Sequence, residues 1–323
     1  VRHVRAAFDA ILAGAWTPVQ VGAFAVTLRM LGETSEVIVA GAEALRGTMA
    51  VVATDAKGVI DTCGTGGDLS GTLNLSTAAA LIVAAVGVPV AKHGNRSVSS
   101  RCGSADVIEA LGIPIDVPPE RQGRVLSEAG IAFLFAPAHH PALRHASQAR
   151  KELGMRTIFN ALGPLANPAR ATHQLVGVYD DTLRSVFADA LGKLGVVRAW
   201  VVRSEDGLDE VSPSAPTRVT ELSEGRVRER VVRPEDFGLS RTSRESIAGG
   251  DAKANAEAIE SLVRGRAHPA RDAVVLNAAA ALVVARDLPL QEAAAMARRA
   301  MEDGSASATL DRWRRVAAKA KET

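Results

Sequence analysis

Residues 59–112, VIDTCGTGGDLSGTLNLSTAAALIVAAVGVPVAKHGNRSVSSRCGSADVIEALG, hold an apolar run, a glycine-dense loop and a Ser/Thr-headed helix of Ala, Leu and Val. A second apolar run and a cationic loop follow. This order predicts two strands side by side, each leaving into a polar loop. Gly64, Gly66, Gly67 and Gly71 permit positive φ and close backbone approach, so the first loop can turn several N–H groups into one concavity that attracts an anion. The helix that follows, beginning near Ser76 and Thr77, adds unpaired N–H groups and the positive end of its dipole. Phosphate is the expected guest. The second loop delivers Lys92, His93, Asn95 and Arg96, then Ser97, Ser99, Ser100 and Arg101, to the same edge. A glycine loop before a helix is equally an ordinary tight turn; the second loop favours the anion site.

At 323 residues the chain exceeds the size at which a single core stops growing, so two units are expected. Apolar residues make up 47% and aromatics only 3%, which suits an α/β protein with closely packed helices. The 38 basic and 36 acidic side chains leave a net charge of +2 with no long run of one sign, which argues against nucleic acid as a partner. Cys63 and Cys102 are too few for a zinc site and read as small buried fillers in a reducing compartment. No secretory pattern opens the chain. The apolar runs at 78–91 and 273–285 are short or broken by Gly87, Pro89 and Asn277, so a soluble cytoplasmic protein with no membrane partner is expected.

Residues 1–50 read as three amphipathic helices. Val4, Phe8, Ile11 and Leu12 form the first stripe. Thr17-Pro18-Val19-Gln20 joins a capping box to a first-turn proline, and Val21, Phe24, Ala25, Leu28 and Leu31 form the second stripe. A third helix spans 34–45, and these stripes could also meet a second copy of the chain. The charged turn at 55–58 marks a boundary, giving a helical domain over 1–55 and an α/β domain over 56–323. Beyond residue 112, strand-like runs at 113–117, 131–136, 174–179 and 199–203 alternate with helices at 120–129, 141–153 and 182–194, which implies a mostly parallel sheet flanked by helices. Residues 155–168 carry so many Asn, Gly and Pro that they read as a fixed loop. Residues 216–247 read as a hairpin with polar loops, and Ala-rich helices follow from 251.

Standard nucleotide fingerprints fail. Gly64-Thr65-Gly66-Gly67 lacks dinucleotide-loop spacing and no lysine follows Gly71 as a P-loop requires. Asp68 suits hydroxyl or metal-water contacts better than phosphate. Asp209-Glu210 is a solvated surface pair or, if its turn faces the anion nest, a magnesium site completed by water and substrate oxygens. Arg150 ends a helix and could simply complement its dipole. His93, His139, His140 and His145 show no metal-ligand spacing.

GTGGD at 64–68, NLST at 74–77, KHGNR at 92–96, SADVIEALG at 104–112, RKELGMRTIFNALGPLANPA at 150–169 and GLDE at 207–210 together resemble the anthranilate phosphoribosyltransferase family, across nearly the whole chain. The resemblance implies a magnesium-dependent homodimer with a helical domain and a larger α/β domain of nucleoside phosphorylase type. Its implied reaction joins anthranilate to the ribosyl carbon of 5-phosphoribosyl 1-diphosphate (PRPP) and releases pyrophosphate. By the same resemblance Gly64, Gly67, Asp68, Thr72, Asn74, Leu75, Ser76 and Thr77 hold PRPP. Lys92, His93, Gly94, Asn95, Arg96, Ser97, Val98, Ser99, Ser100 and Ser104 close on it. Ser76, Asp209 and Glu210 bind magnesium. Gly64, Asn95 and Arg150 contact anthranilate, with His93, His140 and Pro164 as secondary lining. No acid or base catalyst is implied. Arg101 and Cys102 stand where lysine and serine are usual in the family, and Gln148-Ala149 where proline-valine is usual, which bears on the shape of the entrance. The alternatives are a pyrimidine nucleoside phosphorylase, whose loop is usually of KHSGR type, and a non-catalytic relative that binds nucleic acid. The latter is markedly basic and lacks the two loop motifs.

Overall fold

The computed structural model describes residues 2–66, 71–97 and 101–322. Three helices come first: α1 (Arg2–Leu12), α2 (Pro18–Leu31) and α3 (Ser35–Thr48). Thr17 caps α2, its hydroxyl accepting the Gln20 N–H, while Gln20 Oε1 accepts the Thr17 N–H at 2.9 Å. Val21, Ala25 and Leu28 are buried as the stripe requires. Leu31 is not. It closes the helix one residue before Gly32, beyond the packed turns, and is 78% exposed. α3 is capped by Thr34 and runs past Leu45 to Thr48.

The sheet alternates with helices in the order β1 (Ile60–Gly64), α4 (Leu75–Ala85), β2 (Val90–Gly94), α5 (Ser104–Ala110), α6 (Gln122–Ala129) and β3 (Ile131–Phe135). After it come α7 (Ala136–His139), α8 (Arg144–Leu153), α9 (Ile158–Leu165), β4 (His173–Gly177), α10 (Leu183–Lys193) and β5 (Arg198–Ser204). The hairpin β6 (Thr217–Ser223) and β7 (Arg226–Val232) precedes α11 (Ala252–Val263), α12 (Arg271–Arg286), α13 (Leu290–Glu302) and α14 (Ser305–Glu322). Strand order is β3-β2-β1-β4-β5-β6-β7, parallel from β3 to β5, with β6 and β7 antiparallel. The expected small helical part followed by a mostly parallel α/β sheet is therefore the architecture observed.

Two apolar cores flank the sheet, and β5 shows why: Trp200 and Val202 enter one while Ala199 and Val201 enter the other, the two-residue period of a strand. On the first side, α4 is buried all round because β1, β2, α12 and α14 enclose it. On the second, α1–α3 share a core with residues of α8, α9, α10, β4 and β5.

Further expectations change. Residues 113–117 form no strand: Ile113, Ile115 and Val117 are buried, but Pro114 has no N–H for a ladder. Within 155–168 lies α9, a helix rather than a loop. Asn160 Oδ1 accepts the Thr157 N–H at 3.0 Å, Pro164 falls in the last turn, and burial of Ile158, Phe159, Leu162 and Leu165 outweighs poor helix propensity. α4 begins at Leu75, with Asn74 at its N-cap position, one residue earlier than expected. Neither cysteine is in a disulfide and both are only half buried, and burial is the main cause raising both thiol pKa values, Cys102 to about 11.

Candidate active site

β1 and β2 pair at Ile60 and Val90, and further along the strands side chains take the main-chain groups. The Asp61 carboxylate accepts the His93 N–H at 3.1 Å and the Asn167 side-chain amide at 2.8 Å, and that amide also donates to the Ala91 carbonyl at 2.8 Å. Lys92 Nζ donates to the Thr62 carbonyl at 2.5 Å and to Ser76 Oγ at 3.1 Å. Neighbours on one strand point to opposite faces. Thus Lys92 reaches α4 through Ser76, whereas His93 reaches α9 through Gly163, whose carbonyl lies 3.0 Å from His93 Nδ1. Burial raises the Asp61 pKa to about 6 against the pull of Lys92, and burial likewise lowers that of Lys92, opposed chiefly by Asp61.

The order of the strands reverses between β1 and β4, and in open α/β sheets ligands bind beyond the strand ends at that point. Gly64 ends β1 and Gly177 ends β4, paired side by side. Asp209 is packed on both. A Cβ on Gly64 would stand 2.8 Å from Asp209 Oδ2, and one on Gly177 would stand 1.5 Å from the Asp209 carbonyl oxygen. Gly64 thus serves close approach, while Gly66 (φ 69°) and Gly71 (φ 63°) supply the left-handed turns. The Asp209-Glu210 turn therefore faces the glycine loop, and Glu210 is close enough to act on the Lys92 charge.

In the second loop, Asp106 on the first turn of α5 accepts the Ser97 N–H at 3.1 Å, the Gly103 N–H at 2.9 Å and Arg96 Nη1 at 2.9 Å. Arg96 also pairs with Glu109 at 2.9 Å. Asn95 Oδ1 accepts the Arg96 N–H at 2.8 Å, and Ser104 Oγ donates to the Asn95 carbonyl at 3.3 Å. Gly94 leaves room for Ser104, whose Oγ would lie 2.2 Å from an added Cβ. Leu75 and Thr77 are buried, so Leu75 can offer a ligand its main chain only.

His93 and His140 lie with ring centroids 5.0 Å apart, both buried. Pro164 follows the Gly163 that His93 contacts. Burial depresses both imidazoles, His140 to about 4, so both are neutral at physiological pH. Arg150 lies on the last turn of α8, half buried, its pKa lowered by burial with no carboxylate offsetting this. Of the expected site residues, the structure gathers Gly64, Ser76, Lys92 and Asp209 around the switch point and His93 with His140 and Pro164 on the opposite face. Gly67, Asp68, Val98, Ser99 and Ser100 lie outside the described residues. Asp61, Asp106 and Asn167 were not foreseen; an acid inside the apolar run VIDTC and an acid two residues after Ser104 were the available signals.

Residues 56–307 match the model of the glycosyl transferase family α/β domain and residues 3–49 that of its helical bundle domain. The anthranilate phosphoribosyltransferase of Myxococcus xanthus (strain DK1622) is 51% identical over 300 residues, covering 92% of this chain and 88% of the relative. The chain belongs to the anthranilate phosphoribosyltransferase family. The crystal structure of the Thermus thermophilus anthranilate phosphoribosyltransferase superposes with a TM-score of 0.93 at 41% identity, covering 98% of this chain and 95% of the other. The Saccharomyces cerevisiae anthranilate phosphoribosyltransferase, solved in complex with PRPP and Mg, gives 0.90 at 26% identity, covering 98% and 93%.

In this anthranilate phosphoribosyltransferase family member, Ser76 Oγ and the Asp209 and Glu210 carboxylates are hard oxygen donors. They suit magnesium, which takes one or two carboxylates and keeps water and phosphate oxygens as further ligands. Among the described residues no three His, Cys, Asp or Glu side chains could hold an ion unaided, so an ion here would also need hydroxyl, water and substrate oxygens.

Proposed function

We propose that the protein transfers the 5-phosphoribosyl group of PRPP to the amine of anthranilate, giving N-(5-phosphoribosyl)anthranilate and pyrophosphate, a step of tryptophan biosynthesis, and that it uses magnesium. The observation that carries this reading is the meeting of Gly64, Ser76, Lys92 and Asp209 at the β1–β4 switch point. Magnesium, held by Ser76, Asp209 and Glu210, would supply charge neutralisation for the departing diphosphate. The loop N–H groups, with Thr72, Asn74 and Thr77 beside them, and the Lys92 ammonium orient that leaving group and stabilise charge as the C1–O bond lengthens. On the acceptor side, the amine of anthranilate already carries a lone pair, so positioning matters more than a base. Arg150 takes the anthranilate carboxylate, Asn95 and Gly64 meet the amine end, and His93, His140 and Pro164 line the ring. Loss of anthranilate fluorescence on mixing protein, PRPP and magnesium tests the reaction; phosphorolysis of thymidine or uridine without that loss would reassign it.

Arg150→Ala is expected to lower kcat/KM for anthranilate about ten- to hundredfold, the worth of roughly 1.5 to 3 kcal/mol of charged hydrogen bonding, with little change for PRPP. An unchanged anthranilate kcat/KM would remove Arg150 from the site. Neutralising Asp209 and Glu210 together is expected to raise the magnesium concentration needed for half-maximal rate; superimposable titrations with the parent would make them surface acids.

We further read residues 1–55 as the helical unit, which lines part of the cleft and carries dimer contacts, 56–323 as the α/β unit, and the protein as a cytoplasmic homodimer. No single described helix is long and apolar enough to cross a membrane. Val19, Met30 and Leu31 on α2 are 80%, 82% and 78% exposed, an apolar surface suited to a second copy. Sedimentation equilibrium is expected to show paired chains, reduced to single chains by Met30→Asp with Leu31→Asp; single chains in the parent would overturn the dimer.

A further inference from the structure

We propose that Asn255 is a positioning residue for the PRPP loops, acting through Asn74; this rests on the functional reading above. Asn255 stands near the start of α11 and is 2% exposed. Its side-chain nitrogen donates to Asn74 Oδ1 at 2.9 Å, and its Oδ1 accepts the Gly250 N–H at 2.7 Å. Asn74 in turn donates from its own amide to the Cys102 carbonyl at 3.3 Å. One carboxamide pair, Asn255 buried and Asn74 half-buried, thus ties together three segments remote in sequence: the exit of the glycine loop, the end of the second loop, and the turn before α11.

The consequence lies at the N-terminus of α4. An asparagine at an N-cap position ordinarily turns its side-chain oxygen onto the first N–H groups of its helix. Asn74 makes no such bond. Its oxygen is taken by Asn255, so the first turn of α4 carries no side-chain cap that would compete with a phosphate. The backbone supports the same clasp: the Leu73 N–H donates to the Ile247 carbonyl at 2.8 Å and the Gly249 N–H to the Gly71 carbonyl at 2.8 Å. Contact there is tight enough that a Cβ on Gly249 would lie 2.5 Å from the Thr72 carbonyl carbon. Freed from Asn255, the Asn74 oxygen would swing onto the α4 N–H groups and the two loops would lose their common tie.

Steady-state kinetics on the full-length protein at saturating magnesium test this. Asn255→Ala is expected to raise KM for PRPP about tenfold, the effect of losing one buried hydrogen-bond partner, while KM for anthranilate stays within about twofold. Asn74→Ala, which removes a PRPP-binding side chain as well as the tie, is expected to raise KM for PRPP at least as much, and adding Asn255→Ala to it to cost no more than about a further twofold, because Asn255 acts only through Asn74. Should Asn255→Ala fail to fold, Asn255→Asp keeps the size and the acceptor for Gly250 but loses the donor to Asn74, and is expected to show the same split. Equal rises in both KM values, an unchanged KM for PRPP, or additive effects in the double variant would overturn the clasp. A parent protein that consumes no anthranilate with PRPP would overturn the functional reading itself, and is told apart because no variant is needed to see it.

Discussion

Lys92→Met is expected to lower kcat/KM for PRPP by about a hundred- to thousandfold, the range typical of removing one preorganised donor from a site where charge develops. Lys92 is 2% exposed, and its ammonium is held in place by the Thr62 carbonyl and Ser76 Oγ rather than by solvent. Burial weakens its hold on the proton, while Asp61 and Glu210 strengthen it, so a positive charge sits in a poorly solvated place beside the phosphate loop. Methionine fills the space of the stem but offers no donor. It also leaves the Thr62 carbonyl and the Ser76 hydroxyl short of a partner, at a cost of about 1 to 3 kcal/mol of stability, so thermal melts must accompany the kinetics. Arginine is not expected to rescue activity, because a planar fork cannot occupy the place of a compact ammonium. A folded Lys92→Met protein with kcat/KM within about threefold of the parent would make Lys92 a strand spacer only.

Lys92 also shows what the chain disclosed before its structure was known. Period and turn chemistry made β1, α4 and β2 legible, and with them the fact that two loops share one sheet edge. What spacing could not disclose is that Lys92 and His93 serve opposite faces of the sheet, or that Asp61 and Asn167 replace main-chain pairing between β1 and β2. These are bonds between side chains and remote main-chain groups, and they leave no periodic mark. For the same reason Asp209 could be read as a surface acid until Gly64 and Gly177 were seen packed against it. In 155–168 the Asn, Gly and Pro speak locally for a loop, whereas burial of Phe159 and Leu162 makes 158–165 a helix. Asn255 carried no signal at all in a run of alanine-rich helix.

Between pH 7.5 and 4.5 the His140→Phe variant is expected to lose about 2 to 3 kcal/mol less stability than the parent, as measured by urea unfolding at the two pH values. His140 is 2% exposed and its folded pKa falls to about 4 from an ordinary 6.5, first by burial and then by His139, with the Ala166 carbonyl opposing them least. A depressed base contributes stability that is complete above pH 6.5. That contribution drains away as the pH falls toward 4, because the unfolded chain takes up the proton and the folded one does not. His93 and His139 are depressed in the same direction, mainly by burial, and add to the parent's slope; part of the His93 depression comes from His140 itself, so its removal flattens the variant's slope further. Asp61 works the other way: its raised pKa of about 6 means that acid relieves a buried charge, which offsets part of the parent's loss. Phenylalanine is the right probe because it keeps a ring of similar size at a buried place and cannot take up a proton. It also keeps a flat ring against His93. If the two proteins lose the same stability on acidification, His140 takes up its proton in the folded state, and the reading of this wall as a neutral, dry face for an aromatic acceptor falls with it.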